Sequence, residues 1–465
     1  MVFSSLTFLL LFMPCVLLGY RFMPDKARMP FLFAASLLFY GWGSPVWLLL
    51  LGWCMLVSWG GTLLMTRGGK RRKALLILMI ALDLAPLLWF KYAGFFRDTV
   101  NSLFSWNAFD ALGGLLSRLF GREIRIQTPI LPAGISFFTF QAISYIIDVW
   151  RRDAEPQRSP VIFGVYLSLF PQLVAGPIVR YTDLEAQLKA HPQPTWEQMR
   201  RGLRRFCIGL GKKVLLADAL GRFWGQMNGD LASAGALGAW VGLLAFSFQI
   251  YFDFCGYSDM ALGLGEAMGY IMPENFDHPY RAASLTDFWR RWHISLTTWF
   301  REYVYIPLGG NRCKSWRRDL NVLIVWALTG LWHGAGWHFV LWGLYFAVLL
   351  ILEKRFVLDR PWTARIPAWL RQGVTFLLVM AGWGLFSGFG IPLLNAMAGQ
   401  AGWGNAATQT ACLAHAPLLL LCAVISFAPR LPRGRILRFA APVTMLLCLA
   451  ALAAQGYAPF VYFQF

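Results

Sequence analysis

The sequence predicts an all-α polytopic membrane protein, and three observations carry that reading. The 465-residue chain is 57% hydrophobic and 14% charged, where soluble proteins carry about 25% charged residues. Apolar runs of the roughly 18 to 20 residues that cross a bilayer core recur along it. Its basic residues fall in short clusters between those runs, as in cytoplasmic loops. Such loops face anionic lipid, so the net charge of +19 calls for no nucleic acid.

A first span is expected over 5–22, with Arg21, Lys26 and Arg28 at its cytoplasmic end. The opening Met1-Val-Phe-Ser-Ser-Leu lacks the cationic segment and small-residue site of a cleaved leader, so it reads as a retained span. A short second span over 29–43 leads to Gly41-Trp-Gly-Ser-Pro45, a turn rich in helix breakers. The third, 45–65, ends at the basic loop 67–73, and the fourth, 74–91, carries Asp83 and Pro86. Residues 94–127 are amphipathic and of mixed charge, which predicts an outer surface hairpin. Residues 131–148 come back inward to Arg151 and Arg152. The run 161–178 has basic residues at both ends and breaks at Pro171 and Gly176-Pro177, which predicts a re-entrant segment.

Residues 200–213 hold six basic residues and no acidic one, opposite an apolar face of Leu203, Phe206, Cys207, Leu210 and Val214. This predicts an amphipathic helix lying on lipid at the cytoplasmic surface, with an acidic docking partner as the alternative. A span over 234–252 precedes Asp253 and Asp259, and 256–271 is expected to return inward. The loop from Arg281 to Arg318 holds eight basic residues against Asp287 and Glu302. Spans over 371–391, 411–428 and 438–456 follow, with Arg430, Arg433, Arg435 and Arg438 inside and 457–465 outside.

Two histidine motifs stand out: Phe288-Trp-Arg-Arg-Trp-His293-Ile-Ser-Leu and Gly330-Leu-Trp-His333-Gly-Ala-Gly-Trp-His338. An ionisable side chain at membrane depth costs about 2.5 kcal/mol or more, so His333 marks function by default. The alternative is a structural histidine bonded to a neighbouring carbonyl. As one straight helix the 34 residues of 320–353 would run about 51 Å, against a core of about 30 Å. Lys354 and Arg355 would then lie outside, against the positive-inside rule. A bend near Gly334-Ala-Gly336 removes both conflicts. It leaves His333 beside irregular backbone, which is tolerated at that depth only against protein or a water-filled cavity.

A neutral imidazole in a dry cavity can take the proton of an alcohol that attacks an acyl carbon. A second imidazole can hold the oxyanion, and basic residues at a cytoplasmic mouth can hold a phosphorylated donor. No GxSxG elbow, Walker loop or HExxH motif is present. His333 and His338 are five apart, Glu353 is distant and the eight cysteines form no CxxC pair, so no metal site is expected. His191, His278 and His415 read as ordinary. Asp253, Asp259, Asp287, Arg290 and Arg291 either line the site or lock helices together. A proton-coupled transporter relaying through His333, Asp253 and Asp259 is the rival from another class; the lack of inverted halves stands against it.

Six motifs carry a resemblance: Leu131-Pro-Ala-Gly-Ile-Ser-Phe, Ala175-Gly-Pro177, Tyr251-Phe-Asp-Phe254, Phe288-Trp-Arg-Arg-Trp-His-Ile-Ser-Leu296, Pro307-Leu-Gly-Gly-Asn-Arg312 and Gly330-Leu-Trp-His-Gly334. Together they resemble the membrane-bound O-acyltransferase family, in the bacterial branch that contains the alginate O-acetylation membrane protein. The resemblance implies many helices, with re-entrant segments, around a central tunnel in the bacterial inner membrane. One domain over 1–465 is expected, with N-terminal helices 1–130, a catalytic core 131–355 and C-terminal helices 356–465. The family's essential histidine matches His333, and its second signature residue matches His293. Arg290, Arg291, Asp287, Asp253, Asp259, Trp332, Asn311 and Arg312 become tunnel or donor-binding candidates.

The resemblance further implies acetyl-coenzyme A, or another cytosolic acyl thioester, as donor and no bound cofactor. It implies a periplasmic acetyltransferase partner that modifies an exopolysaccharide such as alginate or cellulose. D-alanyl transfer from a carrier protein to an envelope polymer, as in a sister branch, is the alternative among enzymes. Where alginate relatives read Pro-His, this chain has Pro171-Gln172. That departure leaves the histidine pair untouched and the polymer open among alginate, cellulose and peptidoglycan.

Overall fold

A computed structural model describes residues 1–67, 69–104, 108–120, 129–358, 360–428, 435–455 and 460, and every regular element among them is helical. A π-helical turn, Phe8–Phe12, leads into α1 (Met13–Phe22), followed by α2 (Asp25–Gly41), α3 (Trp47–Arg67) and α4 (Arg72–Leu87). Pro86 lies inside α4. Its ring pushes the carbonyl four residues back, that of Leu82, out of the helical ladder. Trp53 Nε1 donates to that carbonyl at 3.1 Å. The chain stays helical through a second π turn, Leu88–Tyr92, into α5 (Ala93–Phe104), so 69–104 makes one rod of 36 residues. The surface hairpin expected over 94–127 is corrected in its first part: α5 prolongs the fourth span. A π turn absorbs the extra residue without ending the helix. α6 (Ala108–Phe120) follows, and 121–127 lie outside the described residues.

α7 (Ile135–Arg151) is buried along most of its length. α8 (Pro160–Ser168) and α9 (Phe170–Leu173) are short and part at Leu169, whose ψ of 110° breaks the helix. Nine residues of α8 rise about 13 Å, less than half of a bilayer core. Gln172 is fully buried in α9 and donates to the Tyr166 carbonyl at 2.7 Å.

α10 (Tyr181–Ala190) and α11 (Trp196–Gly211) lead through a π turn, Lys212–Ala217, to α12 (Asp218–Gly229) and α13 (Leu231–Ala267). α13 overturns two expectations. It runs unbroken through Asp253, Gly256 and Asp259, so no span ends at 252 and 256–271 do not return. Gly256 is a packing residue, not a turn. Nor does α11 lie on lipid, because its apolar face is pressed against α13. A Cβ on Gly202 would stand 2.3 Å from the Gly263 carbonyl oxygen, and one on Gly209 would stand 2.6 Å from that of Gly256. Small residues at such spacing let helix backbones meet.

Four of the six basic residues of 200–213 are matched to α13 acids in the same antiparallel register. Arg201 pairs with Glu266 at 2.8 Å, Arg205 with Asp259 at 2.8 Å, Lys212 with Asp259 at 2.6 Å and Lys213 with Asp253 at 2.8 Å. Lys213 also meets Asp218, and all three of its group are under 10% exposed.

α14 (Leu285–Arg291) and α15 (Ile294–Phe300) are short, whereas α16 (Ser315–His333) and α17 (Trp337–Phe356) are long and packed side by side. α18 (Ala368–Phe386), α19 (Gly390–Met397), α20 (Ala406–Phe427) and α21 (Arg435–Gln455) complete the molecule. Arg430 and Arg433, the side chains of Arg435 and Arg438, and 457–465 apart from Phe460 lie outside the described residues. Buried apolar side chains gather in two clusters. One joins α1–α3 and α7–α11 to Trp299, Phe300 and Trp332; the other joins α12 to Trp289, Trp292, Phe339, Trp342 and Trp383. Both histidine motifs fall on the seam between them.

Candidate active site

His333 is the last residue of α16 and is 7% exposed. Gly334 and Gly336 follow in extended conformation, and the chain reverses into α17. The bend falls where span length and charge placed it. Ending a helix there leaves its last carbonyls without helical donors. The π turn of 88–92 supplies them from another part of the chain. Tyr92 Oη donates to the Leu331 carbonyl at 2.7 Å, and Lys91 Nζ donates to the carbonyls of Trp332 and, at 3.2 Å, His333. Lys91 also reaches Ser136 Oγ at 3.3 Å. A cation is the group a helix C-terminus favours. Lys91→Met keeps the apolar stem and leaves those carbonyls unmatched. It is expected to destabilise the protein by about 1–3 kcal/mol, read as a lower melting temperature in detergent; an unchanged transition would show that the carbonyls are satisfied without it.

His293 caps α15 from a φ of 43° and ψ of 54°, a left-handed conformation uncommon for a residue with a Cβ. Its Nδ1 stands 3.1 Å from Asn275 Oδ1, and its ring meets Phe254 edge to face at 4.6 Å. Trp332 sits beside both imidazoles, its ring 5.7 Å from His293 and 5.1 Å from His333. The two histidines line one cavity of about 210 Å³ with Trp289, Trp292, Phe300, Val325 and Trp326. Exposed Arg301 and half-buried Tyr305 also line it, so it reaches the surface on their side.

The other candidates lie elsewhere. Asp253 and Asp259 are matched to Arg205, Lys212 and Lys213 and lock α11 and the π turn after it to α13. Asp287 pairs with Arg291 at 2.8 Å, and Arg290 is exposed; none of the three lines the cavity. Asn311 and Arg312 are exposed on the turn after Pro307, which needs Gly309 and Gly310 for φ values of 108° and 53°. Asn311 accepts from Tyr305 Oη at 2.9 Å and so adjoins the cavity mouth. Among the described residues no group of three or more His, Cys, Asp or Glu side chains converges as a metal site would.

Sequence reasoning missed Lys91, Asn275, Arg301 and Tyr305. Lys91 had a signal, a lone cation in the apolar run Trp89-Phe-Lys-Tyr92. It reads as the polar end of a span because the span's continuation into α5 is hidden. Arg301 was one of eight basic residues in its loop, and only the fold separates it from Arg290 and Arg291.

A helical membrane protein that buries two imidazoles against one narrow apolar cavity has the build of a membrane-embedded transferase. The model of the membrane-bound O-acyltransferase family matches residues 133–380, just over half of the chain, and the protein belongs to that family. It is an O-acyltransferase. Over the whole of both chains it is 37% identical to a protein of Azotobacter vinelandii named "Probable alginate O-acetylase". A protein of the same name from Pseudomonas aeruginosa is 40% identical over 83% of this chain and 72% of the relative. The "Peptidoglycan O-acetyltransferase" of Helicobacter pylori is 32% identical over 83% of this chain and 77% of its own.

Proposed function

We propose that the protein is a bacterial inner-membrane acetyltransferase. It takes the acetyl group of a cytoplasmic thioester, acetyl-coenzyme A, and passes it outward for O-acetylation of an envelope polysaccharide. The observation that carries this reading is the shared cavity: His293 and His333 at one end, Arg301 and Tyr305 at the other. A guanidinium at the mouth suits a phosphorylated donor. The aromatic lining keeps out the water that would otherwise hydrolyse the thioester.

The chemistry follows from those groups. The acceptor hydroxyl adds to the thioester carbonyl carbon, the C–O bond forms, and His333 takes the hydroxyl proton with His293 assisting. The C–S bond then breaks, and the proton passes to the departing thiolate, so the enzyme ends as it began. A cavity of about 210 Å³ is small, equal in volume to about seven waters at about 30 Å³ each. It suits an acetyl group and not a sugar chain, which favours a periplasmic partner that hands the acetyl on to the polymer. Relatives named for alginate and peptidoglycan both point to sugar hydroxyls as final acceptors.

The test uses purified protein in nanodiscs with acetyl-labelled acetyl-coenzyme A and a periplasmic fraction plus polysaccharide. Free coenzyme A thiol and labelled polymer are expected, both dependent on the protein. Thiol release only from a D-alanyl carrier protein would reassign the donor. Proton movement across proteoliposomes without thioester cleavage would sink the enzyme reading altogether.

A further inference from the structure

The hydrogen bonds behind His293 decide which of its nitrogens carries the proton. Asn275 is fully buried, and its Oδ1 sits among three groups: Ser295 N at 3.3 Å, Ser295 Oγ at 2.9 Å and His293 Nδ1 at 3.1 Å. A backbone N–H only donates, so the amide atom facing Ser295 N must be the oxygen. The Asn275 Nδ2 group, on the other side, donates to Ser258 Oγ at 3.1 Å. Ser295 Oγ already accepts from the Ile178 amide at 3.0 Å, which turns its own hydrogen toward Asn275 and not toward His293, 3.5 Å away. With the carbonyl oxygen fixed, a bare Nδ1 would set two lone pairs against each other at 3.1 Å.

We infer that Asn275 is a positioning residue that holds His293 in the Nδ1–H tautomer, so that Nε2 presents its lone pair to substrate. Nε2 finds no protein partner among the described residues. This rests on the acyl-transfer reading and sharpens it. A neutral His293 of this tautomer cannot donate to an oxyanion from Nε2; it is a second acceptor beside His333, able to receive the hydrogen of a hydroxyl. The backbone reinforces the arrangement, since the Asn275 carbonyl accepts from Ile294 N at 3.0 Å and pins the strained turn at His293. The same logic governs other catalytic imidazoles, where a neighbour chooses the tautomer and the wrong one costs about 10⁴ in turnover.

The test reads the tautomer directly, by ¹⁵N NMR of histidine-labelled protein with His293 assigned through its loss in His293→Gln. The expected wild-type spectrum has a protonated Nδ1 and a bare Nε2. Asn275→Leu, which removes the acceptor, is expected to mix the tautomers and let the ring shift from its position, lowering kcat for acetyl transfer about 100-fold with KM unchanged. Asn275→Asp keeps an oxygen in place. It should hold the single tautomer and retain at least about tenfold more turnover than the leucine variant. A wild-type proton on Nε2 would overturn the assignment whatever the activities show. Because that spectrum needs no turnover, its failure is distinct from failure of the acyl-transfer reading, and it decides the matter even where Asn275→Leu does not fold.

Discussion

His333→Ala is expected to lower acetyl-transfer turnover by about 1,000-fold, since a positioned general base contributes about 10² to 10⁴. The measurement is thiol release from acetyl-coenzyme A by purified protein in nanodiscs. Alanine also removes a ring that meets Trp342 at 5.1 Å and Phe386 at 5.4 Å, so part of the loss could come from collapse around a void. His333→Gln fills most of that space and should be as inactive while melting near the wild-type temperature. Turnover above a tenth of wild type in the glutamine variant would remove His333 from the chemistry.

Gly330→Ala should be nearly as damaging, although a single methyl group is added one turn before the histidine. That methyl would stand 2.2 Å from the Phe339 carbonyl oxygen and 2.9 Å from its carbon. A side chain can swing aside, but a backbone carbonyl inside α17 cannot. A Cβ on Gly343 would likewise stand 2.2 Å from the Trp326 carbonyl oxygen, so the two helices touch at two points and have no slack to tilt. Forcing them apart costs about 1–3 kcal/mol. A displacement of about 1 Å at His333 is worth about 100-fold in rate. Gly60→Ala, in α3 with open space around it, is the control and should be neutral or slightly stabilising. Equal activity in the two variants would mean that α16 and α17 are not in backbone contact.

Much of this was legible in the chain and some was not, for physical reasons. Hydropathy located the apolar helices because burial in lipid leaves a one-dimensional trace, and the bend after His333 followed from length and charge alone. Asp253 and Asp259 were open to two readings, lining the site or locking helices together, and the structure takes the second. Two acids in an apolar run resemble a site or a turn until their cations, 40 to 54 residues earlier at Lys213, Lys212 and Arg205, are seen beside them. The lipid-facing reading of 200–213 failed, since an amphipathic helix has the same pattern whether its apolar face meets lipid or the glycines of α13. His293 and His333 were conspicuous because imidazoles seldom sit among tryptophans without cause. Asn275 was invisible, being one amide in a loop whose importance lies in what faces it.

The cap on α16 has a consequence for the order in which the molecule is assembled. Lys91 enters the membrane 242 residues before the carbonyl it will hold. It lies outside 133–380, the stretch that the family model recognises. The early helices therefore act as a waiting mould: the reacting end of the later hairpin is finished only when it arrives against them. A trimmed version kept to the recognisable stretch would retain both imidazoles and lose the hand that steadies one of them.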